Sequence, residues 1–177
     1  MKKIALFIPL FFSSLLFGES QIYMGTSYGY SNVSTKYANS TVEETYSEDT
    51  VRIKAGYGQR EAYAVEFSME YIESQPKKYA FDISVIKAFD WGIYVNPYIK
   101  AGFGAGILDN RENEDKSLTY GSFNLGTGLF IPMGKHFDFE LAYEYKNRSY
   151  QKVNELDGTE SRTSHVNMFY SGINVRF

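Results

Sequence analysis

The sequence predicts an all-β fold, an eight-stranded antiparallel up-and-down transmembrane β-barrel, and three observations predict it. Apolar side chains return at every second residue in eight separate segments, a period of two that means strand. Aromatics make up 18% of the 177 residues, with 16 Tyr and 14 Phe, yet the mean hydropathy is polar at -0.34. After the first 20 residues no stretch holds the roughly 18 consecutive apolar residues that a spanning helix needs. A membrane barrel reconciles these facts, because alternate residues of each strand meet lipid and the others face a polar interior. A soluble barrel or β-sandwich would turn the apolar face inward, where so many Tyr and Phe could hardly fit.

Residues 1–20 read as a secretory signal. Lys2 and Lys3 give the positive region, Ile4 to Phe17 the apolar stretch, and small residues follow, with cleavage after Gly18 or after Ser20. Residues 21–177 form the single domain. Setting aside Lys2, Lys3 and Glu19 turns 18 basic and 21 acidic side chains into 16 and 20, so no general basic footprint for nucleic acid exists. Zero cysteines close the readings of a lipid on an N-terminal Cys, a disulfide framework and a thiolate metal site.

The strands follow in order. Ile22, Met24, Thr26, Tyr28 and Tyr30 face one way in the first. The second alternates Val51, Ile53, Ala55 and Tyr57 with Arg52, Lys54 and Gly56, and the third Tyr63, Val65, Phe67, Met69 and Tyr71 with Ala64, Glu66, Ser68 and Glu70. A helix would scatter both sets around its circumference. Tyr79, Phe81, Ile83 and Val85 define the fourth, and Val95, Ile99, Ala101, Phe103 and Ile107 the fifth. Pro97 falls near a strand start, where a missing donor is most tolerable. Phe123, Leu125, Leu129 and Ile131 mark the sixth, Phe137, Phe139, Leu141, Tyr143 and Tyr145 the seventh, and Phe169, Ile173, Val175 and Phe177 the eighth.

The connections are expected to alternate. Short turns lie around 59–61, 90–92 and 132–136, and longer polar segments around 33–49, 72–78, 109–117 and 151–162. Turns on one side and loops on the other are the outer-membrane pattern, and it puts both termini in the periplasm. Trp91, Tyr94, Phe137, Phe139, Tyr57 and Phe177 near the turns, and Tyr71, Tyr79, Tyr143 and Tyr145 nearer the loops, are expected as girdles at the two membrane interfaces.

Three segments resemble the family of small outer-membrane β-barrel proteins related to the membrane domain of OmpA and to the OmpX and Opa groups: Val95-Asn-Pro-Tyr-Ile-Lys-Ala-Gly-Phe-Gly-Ala-Gly-Ile107, the hairpin from Asn124-Leu-Gly-Thr-Gly-Leu-Phe to Glu140-Leu-Ala-Tyr-Glu-Tyr145, and Tyr170-Ser-Gly-Ile-Asn-Val-Arg-Phe177. The resemblance implies a terminal signal for the outer-membrane assembly machinery, matched by Phe169, Ile173, Val175 and Phe177 and departed from by Ser171. No peptidoglycan-binding domain is expected after Phe177.

The inward phase carries Arg52, Lys54, Lys100, Lys146, Arg148 and Arg176 against Glu66, Glu70, Asp82, Asp138, Glu140 and Glu144. A turn about Arg60 would set Lys54 directly opposite Glu66, and one about Trp91 would set Asp82 opposite Lys100, both favourable cross-strand pairs. An eight-stranded barrel is only wide enough for side chains to fill, so these charges are expected to tie strands together rather than line an open pore. Gly102, Gly104 and Gly106 alternate within a strand; they make no phosphate loop before a helix and are expected to leave room for large inward side chains.

For chemistry, His165 stands near Ser161, Thr163, Ser164 and Asn167, with Glu155 and Glu160 in the adjoining loop, the ingredients of a hydrolase triad. The run His165-Val166-Asn167 departs from the His-x-Ser pattern of lipid A deacylases, so an interface role is expected and no catalytic residue is assigned. Asp109, Glu112, Glu114 and Asp115, and Glu43, Glu44, Glu48 and Asp49, lack the fixed spacing of a calcium loop and are expected as solvated acidic loops, open to loose bridging by divalent ions to lipopolysaccharide. No metal or cofactor is expected. The expected function is therefore a non-enzymatic barrel that contributes to outer-membrane integrity among lipids and lipopolysaccharide, its loops offered for adhesion or host interaction. A narrow porin-like channel is the alternative, and a lipid A-modifying enzyme the third reading. Fold alone does not choose among them.

Overall fold

A computed structural model describes residues 20–37, 43–109, 118–151, 153–155, 158–160 and 162–177. The strands are β1 (Gln21–Tyr37), β2 (Glu43–Gly58), β3 (Tyr63–Glu73), β4 (Lys77–Ala88), β5 (Asn96–Asp109), β6 (Leu118–Pro132), β7 (Phe137–Tyr150), β8 (Val153–Glu155), β9 (Gly158–Glu160) and β10 (Arg162–Arg176). Eight of them close into an antiparallel barrel in the order β1-β10-β7-β6-β5-β4-β3-β2, and β8 and β9 form a separate two-stranded hairpin. Closure is made by β1 and β10, paired from Tyr23 opposite Arg176 to Tyr37 opposite Arg162, so the barrel itself offers no edge for another chain to extend.

The pairing is staggered. Followed from Glu140 through Gly172, Ser27, Arg52, Glu70, Ala80, Gly106 and Tyr120, the register returns to β7 at Tyr150, ten residues along. That shear tilts the strands and leaves a lumen that side chains can fill. Small inward residues make the filling fit: a Cβ at Gly104 would strike the Asp82 carboxylate, and one at Gly106 the Tyr120 ring.

Alternation is inverted relative to a soluble protein. Ile53, Phe103 and Phe169 are each 66% exposed on the outside, while Arg52 and Glu144 inside are each 1% exposed. An apolar exterior of this extent around a charged interior is stable only where lipid covers the outside. Trp91, Tyr94, Phe137, Tyr57 and Phe177 are all exposed near the turns, and Tyr79 near the loops.

The connections correct the expected alternation of short turns and long loops. On the side away from the termini, β1 runs to Tyr37 and β2 starts at Glu43, so most of 33–49 is strand, and only 74–76 separate β3 from β4. On the terminal side the connections are 59–62, 89–95 and 133–136, the middle one longer than its expected three residues. The physical reason is that strands outlast the membrane: beyond the hydrocarbon both faces can be polar, so hydropathy stops alternating while backbone pairing continues. Residues 110–117, at the third expected loop, and 1–19 of the expected signal lie outside the described residues.

Candidate functional site: the ionic lumen

The lumen is built by the inward phase of every strand, and the twelve charged residues that the sequence marks all lie within it, each at most 5% exposed. Glu48 and Lys78 join them, giving seven buried carboxylates and seven buried cations among the described residues. Both additions come from segments read as loops. The four acids of 43–49 are thereby divided: Glu43 bonds Lys36 at 3.3 Å and Asp49 accepts from the Tyr28 hydroxyl at 2.6 Å on the outside, whereas Glu48 turns inward, because the alternation continues along β2.

Three tiers stack along the axis. In the middle, Arg52 of β2 reaches Glu70 of β3, with Nη2 at 2.5 Å and Nε at 2.8 Å from Oε1, and crosses to Glu144 of β7 at 3.1 and 3.2 Å. Lys146 bonds Glu70 at 2.7 Å, Asp82 at 2.6 Å and Glu144 at 3.3 Å. Lys100 bonds Glu66 at 3.0 Å and Glu144 at 3.2 Å. Lys54 bonds Glu140 and lies 3.4 Å from Glu66. Such charge-assisted bonds satisfy the groups whose burial would otherwise be prohibitive.

The expected pairs are corrected here. Lys54 stands opposite Ser68, and Glu66 opposite Gly56; Asp82 stands opposite Gly104, and Lys100 opposite Ile86. The hairpins centre on 61 and 93, not on Arg60 and Trp91, which shifts the cross-strand partners by two and four residues, because 59–62 and 89–95 are longer than the sequence suggested. Lys54 and Glu66 still meet, along a diagonal, while Asp82 takes Lys146 instead of Lys100.

The end tiers each hang on one carboxylate. On the terminal side Asp138 accepts from Arg176 Nε at 2.5 Å and is ion-paired with Arg60, whose Nε lies 2.9 Å away. Arg60 also donates to the carbonyls of Gly134 and Lys135 at 3.2 and 3.1 Å, strapping the 59–62 turn to the 133–136 turn. On the loop side Glu48 receives Arg148 at 2.8 Å and Lys78. Aromatic rings complete both ends. Tyr98 stacks on Phe130 at 4.5 Å, and Tyr120 meets Tyr150 in a tilted pair at 5.2 Å; Arg176 lies 4.9 Å over Tyr23 and Arg148 5.6 Å over Tyr120, the cation over the negative ring face.

Sequence reasoning assigned aromatics to the outer girdles and missed those inside. Tyr23, Tyr98, Tyr120, Phe130, Tyr150 and Tyr170 are all buried. Their phase was the available signal, since each occupies the inward position of its strand. Three of their hydroxyls serve the carboxylates: Tyr23 donates to Glu66 at 2.9 Å, and Tyr98 and Tyr170 to Glu140 at 2.5 and 3.3 Å.

The hydrolase ingredients do not assemble among the described residues. His165 is on the outer face, its Nδ1 2.6 Å from the Tyr145 hydroxyl, whereas Ser164 points inward and bonds Thr35 at 2.7 Å. Ser161 and the side chains of Glu155 and Glu160 lie outside the described residues, as do Glu112, Glu114 and Asp115. Phe169, Ile173 and Phe177 face outward along the last strand, with Val175 half-buried in the same phase.

No protein-family model matches this sequence, and no curated protein matches it. Solved structures do match its fold. Neisserial surface protein A is 18% identical with a TM-score of 0.62, over 90% of this chain and 100% of that one. The N-terminal β-barrel domain of Pseudomonas aeruginosa OprF is 18% identical with a TM-score of 0.55, over 85% and 97%. Ail of Yersinia pestis, in complex with the heparin analogue sucrose octasulfate, is 18% identical with a TM-score of 0.53, over 89% and 99%. The fold is thus that of small outer-membrane β-barrels, and together with the lipid-facing exterior it places the chain in an outer membrane.

Proposed function

We propose that this chain is a non-enzymatic, non-conducting barrel that contributes to outer-membrane integrity and presents the connections between its strands as a surface for adhesion or host interaction. The single observation that supports the reading is the lumen: a closed barrel whose interior is filled by mutually bonded charges and capped by aromatic pairs at both ends. Conduction needs sites that an ion can enter and leave, and here the carboxylates and cations satisfy one another. Residues 1–20 act as the export signal, and the outward run Phe169, Ile173, Val175 and Phe177 serves the assembly machinery.

Cells lacking the protein are expected to take up more of an apolar dye while uptake of small hydrophilic solutes stays unchanged. The reverse pattern, normal dye exclusion with slower solute uptake, would favour the channel.

A further inference from the structure

The buried charges of the lumen balance as a whole, but not tier by tier. In the middle, Glu66, Glu70, Asp82, Glu140 and Glu144 face Arg52, Lys54, Lys100 and Lys146, five acids to four cations among the described residues. Each end holds the opposite surplus: Glu48 meets Lys78 and Arg148, and Asp138 meets Arg176 and Arg60. The shortfall in the middle falls on Asp82. Glu144 is paired with three cations, and Glu66 and Glu70 with two each. Glu140 adds two tyrosine hydroxyls and Asn174 to Lys54. Among the described residues Asp82 has one cation, Lys146, on Oδ2 at 2.6 Å, and shares it with Glu70 and Glu144. Its Oδ1 accepts from the Ser122 hydroxyl at the long distance of 3.5 Å.

Around that oxygen the wall is built of small and unpartnered polar groups. Asp82 and Ser122 stand on either side of Gly104, and in the next inward row Ser84 and Asn124 stand on either side of Gly102. A Cβ at Gly104 would strike both Asp82 Oδ1 and Ser122 Oγ, and one at Gly102 both Ser84 Oγ and Asn124 Oδ1, so in each row both oxygens lean over the glycine. Ser84 and Asn124 are 2% and 1% exposed, yet Ser84 Oγ and both polar atoms of the Asn124 amide lack a partner among the described residues. Buried polar atoms in native proteins are nearly always satisfied. No bond fixes these two side chains, so they are free to turn toward Asp82.

We propose that this patch is a sodium site: one Na+ on Asp82 Oδ1, with the Ser122 and Ser84 hydroxyls and the Asn124 amide oxygen as further ligands. A proton on Asp82 would cancel the surplus charge but donate to one acceptor. A water would serve the hydroxyls and leave the charge, which is costly when buried without compensation. A cation does both, since hard cations bind carboxylate, amide and hydroxyl oxygens together. One surplus charge calls for a monovalent ion, and a lumen filled by side chains selects sodium over the larger potassium. The positive surplus at each end stands between the ion and water, so the ion is trapped and not conducted. The inference goes beyond the proposed function and rests on the buried charges, so it can fail while the lumen stays closed.

The test refolds the mature protein into phosphatidylcholine vesicles in sodium chloride, with choline chloride holding ionic strength constant, and follows reversible urea unfolding at fixed pH. Raising sodium from about 1 to about 100 mM is expected to raise the ratio of folded to unfolded protein by up to about 100-fold, the limit for one ion bound to the folded state. Potassium in place of sodium should give several-fold less. Asp82→Asn removes the surplus charge while Lys146 keeps Glu70 and Glu144, so it should fold as a heat-modifiable barrel and lose the sodium dependence. Ser84→Ala, which leaves every charge in place, should shift the dependence to several-fold higher sodium. Glu43→Gln, outside the lumen, should leave it unchanged. Stability indifferent to sodium, an equal response to potassium, or a sodium response that survives Asp82→Asn would each overturn the site. Stability that follows pH and not sodium would assign the surplus to a proton and overturn it as well.

Discussion

The middle of the lumen and its two ends use the same kinds of residue under different rules. In the middle, Glu144 touches Arg52, Lys100 and Lys146, and each of those cations has another carboxylate: Glu70 for Arg52, Glu66 for Lys100, Glu70 and Asp82 for Lys146. At the ends, among the described residues, Glu48 is the one carboxylate that serves Lys78 and Arg148, and Asp138 the one that serves Arg176 and Arg60. The difference teaches that redundancy, not the number of charges, sets how much one side chain matters. A mesh loses a strand and holds; a single node loses everything tied to it.

The largest expected effect follows at a node. Glu48→Gln strands two buried cations, and leaving a charge unpaired in such a place costs about 3 to 5 kcal/mol, with the rings of Tyr46 and Tyr120 offsetting part of it. Glu144→Gln, in the mesh, is expected to cost about 1 to 3 kcal/mol, the scale of removing one partner from groups that keep others. Reversible urea unfolding of both variants in the same vesicles checks the ordering, and an equal or larger loss for Glu144→Gln breaks the contrast. Next comes Gly106→Ala, whose Cβ would push Tyr120 from its place against Arg148; overpacking of this kind costs about 1 to 3 kcal/mol, read in the same unfolding series. Smallest is Arg60→Ala. Asp138 keeps Arg176 and the Arg60 side chain is 19% exposed, so a loss near 1 kcal/mol is expected; a loss matching that of Glu48→Gln would make Arg60 a node in its own right.

The same division explains what could be read in advance. Within the hydrocarbon the two faces of each strand meet opposite environments, so Arg52, Glu66, Lys100 and Glu144 were visible as an inward set from their phase alone. At the loop side both environments are aqueous or polar, the contrast vanishes, and Glu48 and Lys78 looked like loop residues although β2 and β4 carry them into the lumen. Partners across the barrel were also out of reach. A register error of two residues leaves every side chain on its correct face but moves its neighbours, so the inward set was legible while its pairing was not. The inward tyrosines were hidden differently: a ring with a polar tip suits a membrane interface and an ionic lumen equally, and only the phase separates the two.

The measurement that tests the closed lumen most directly is single-channel conductance of the refolded mature barrel in a planar bilayer, after its heat-modifiable migration has been checked. Wild-type protein is predicted to be silent, and Lys54→Ala combined with Glu66→Ala, which removes the link among Glu140, Lys100 and Tyr23, is predicted to give reproducible steps. Steps from the wild type would contradict a lumen sealed by its own charges.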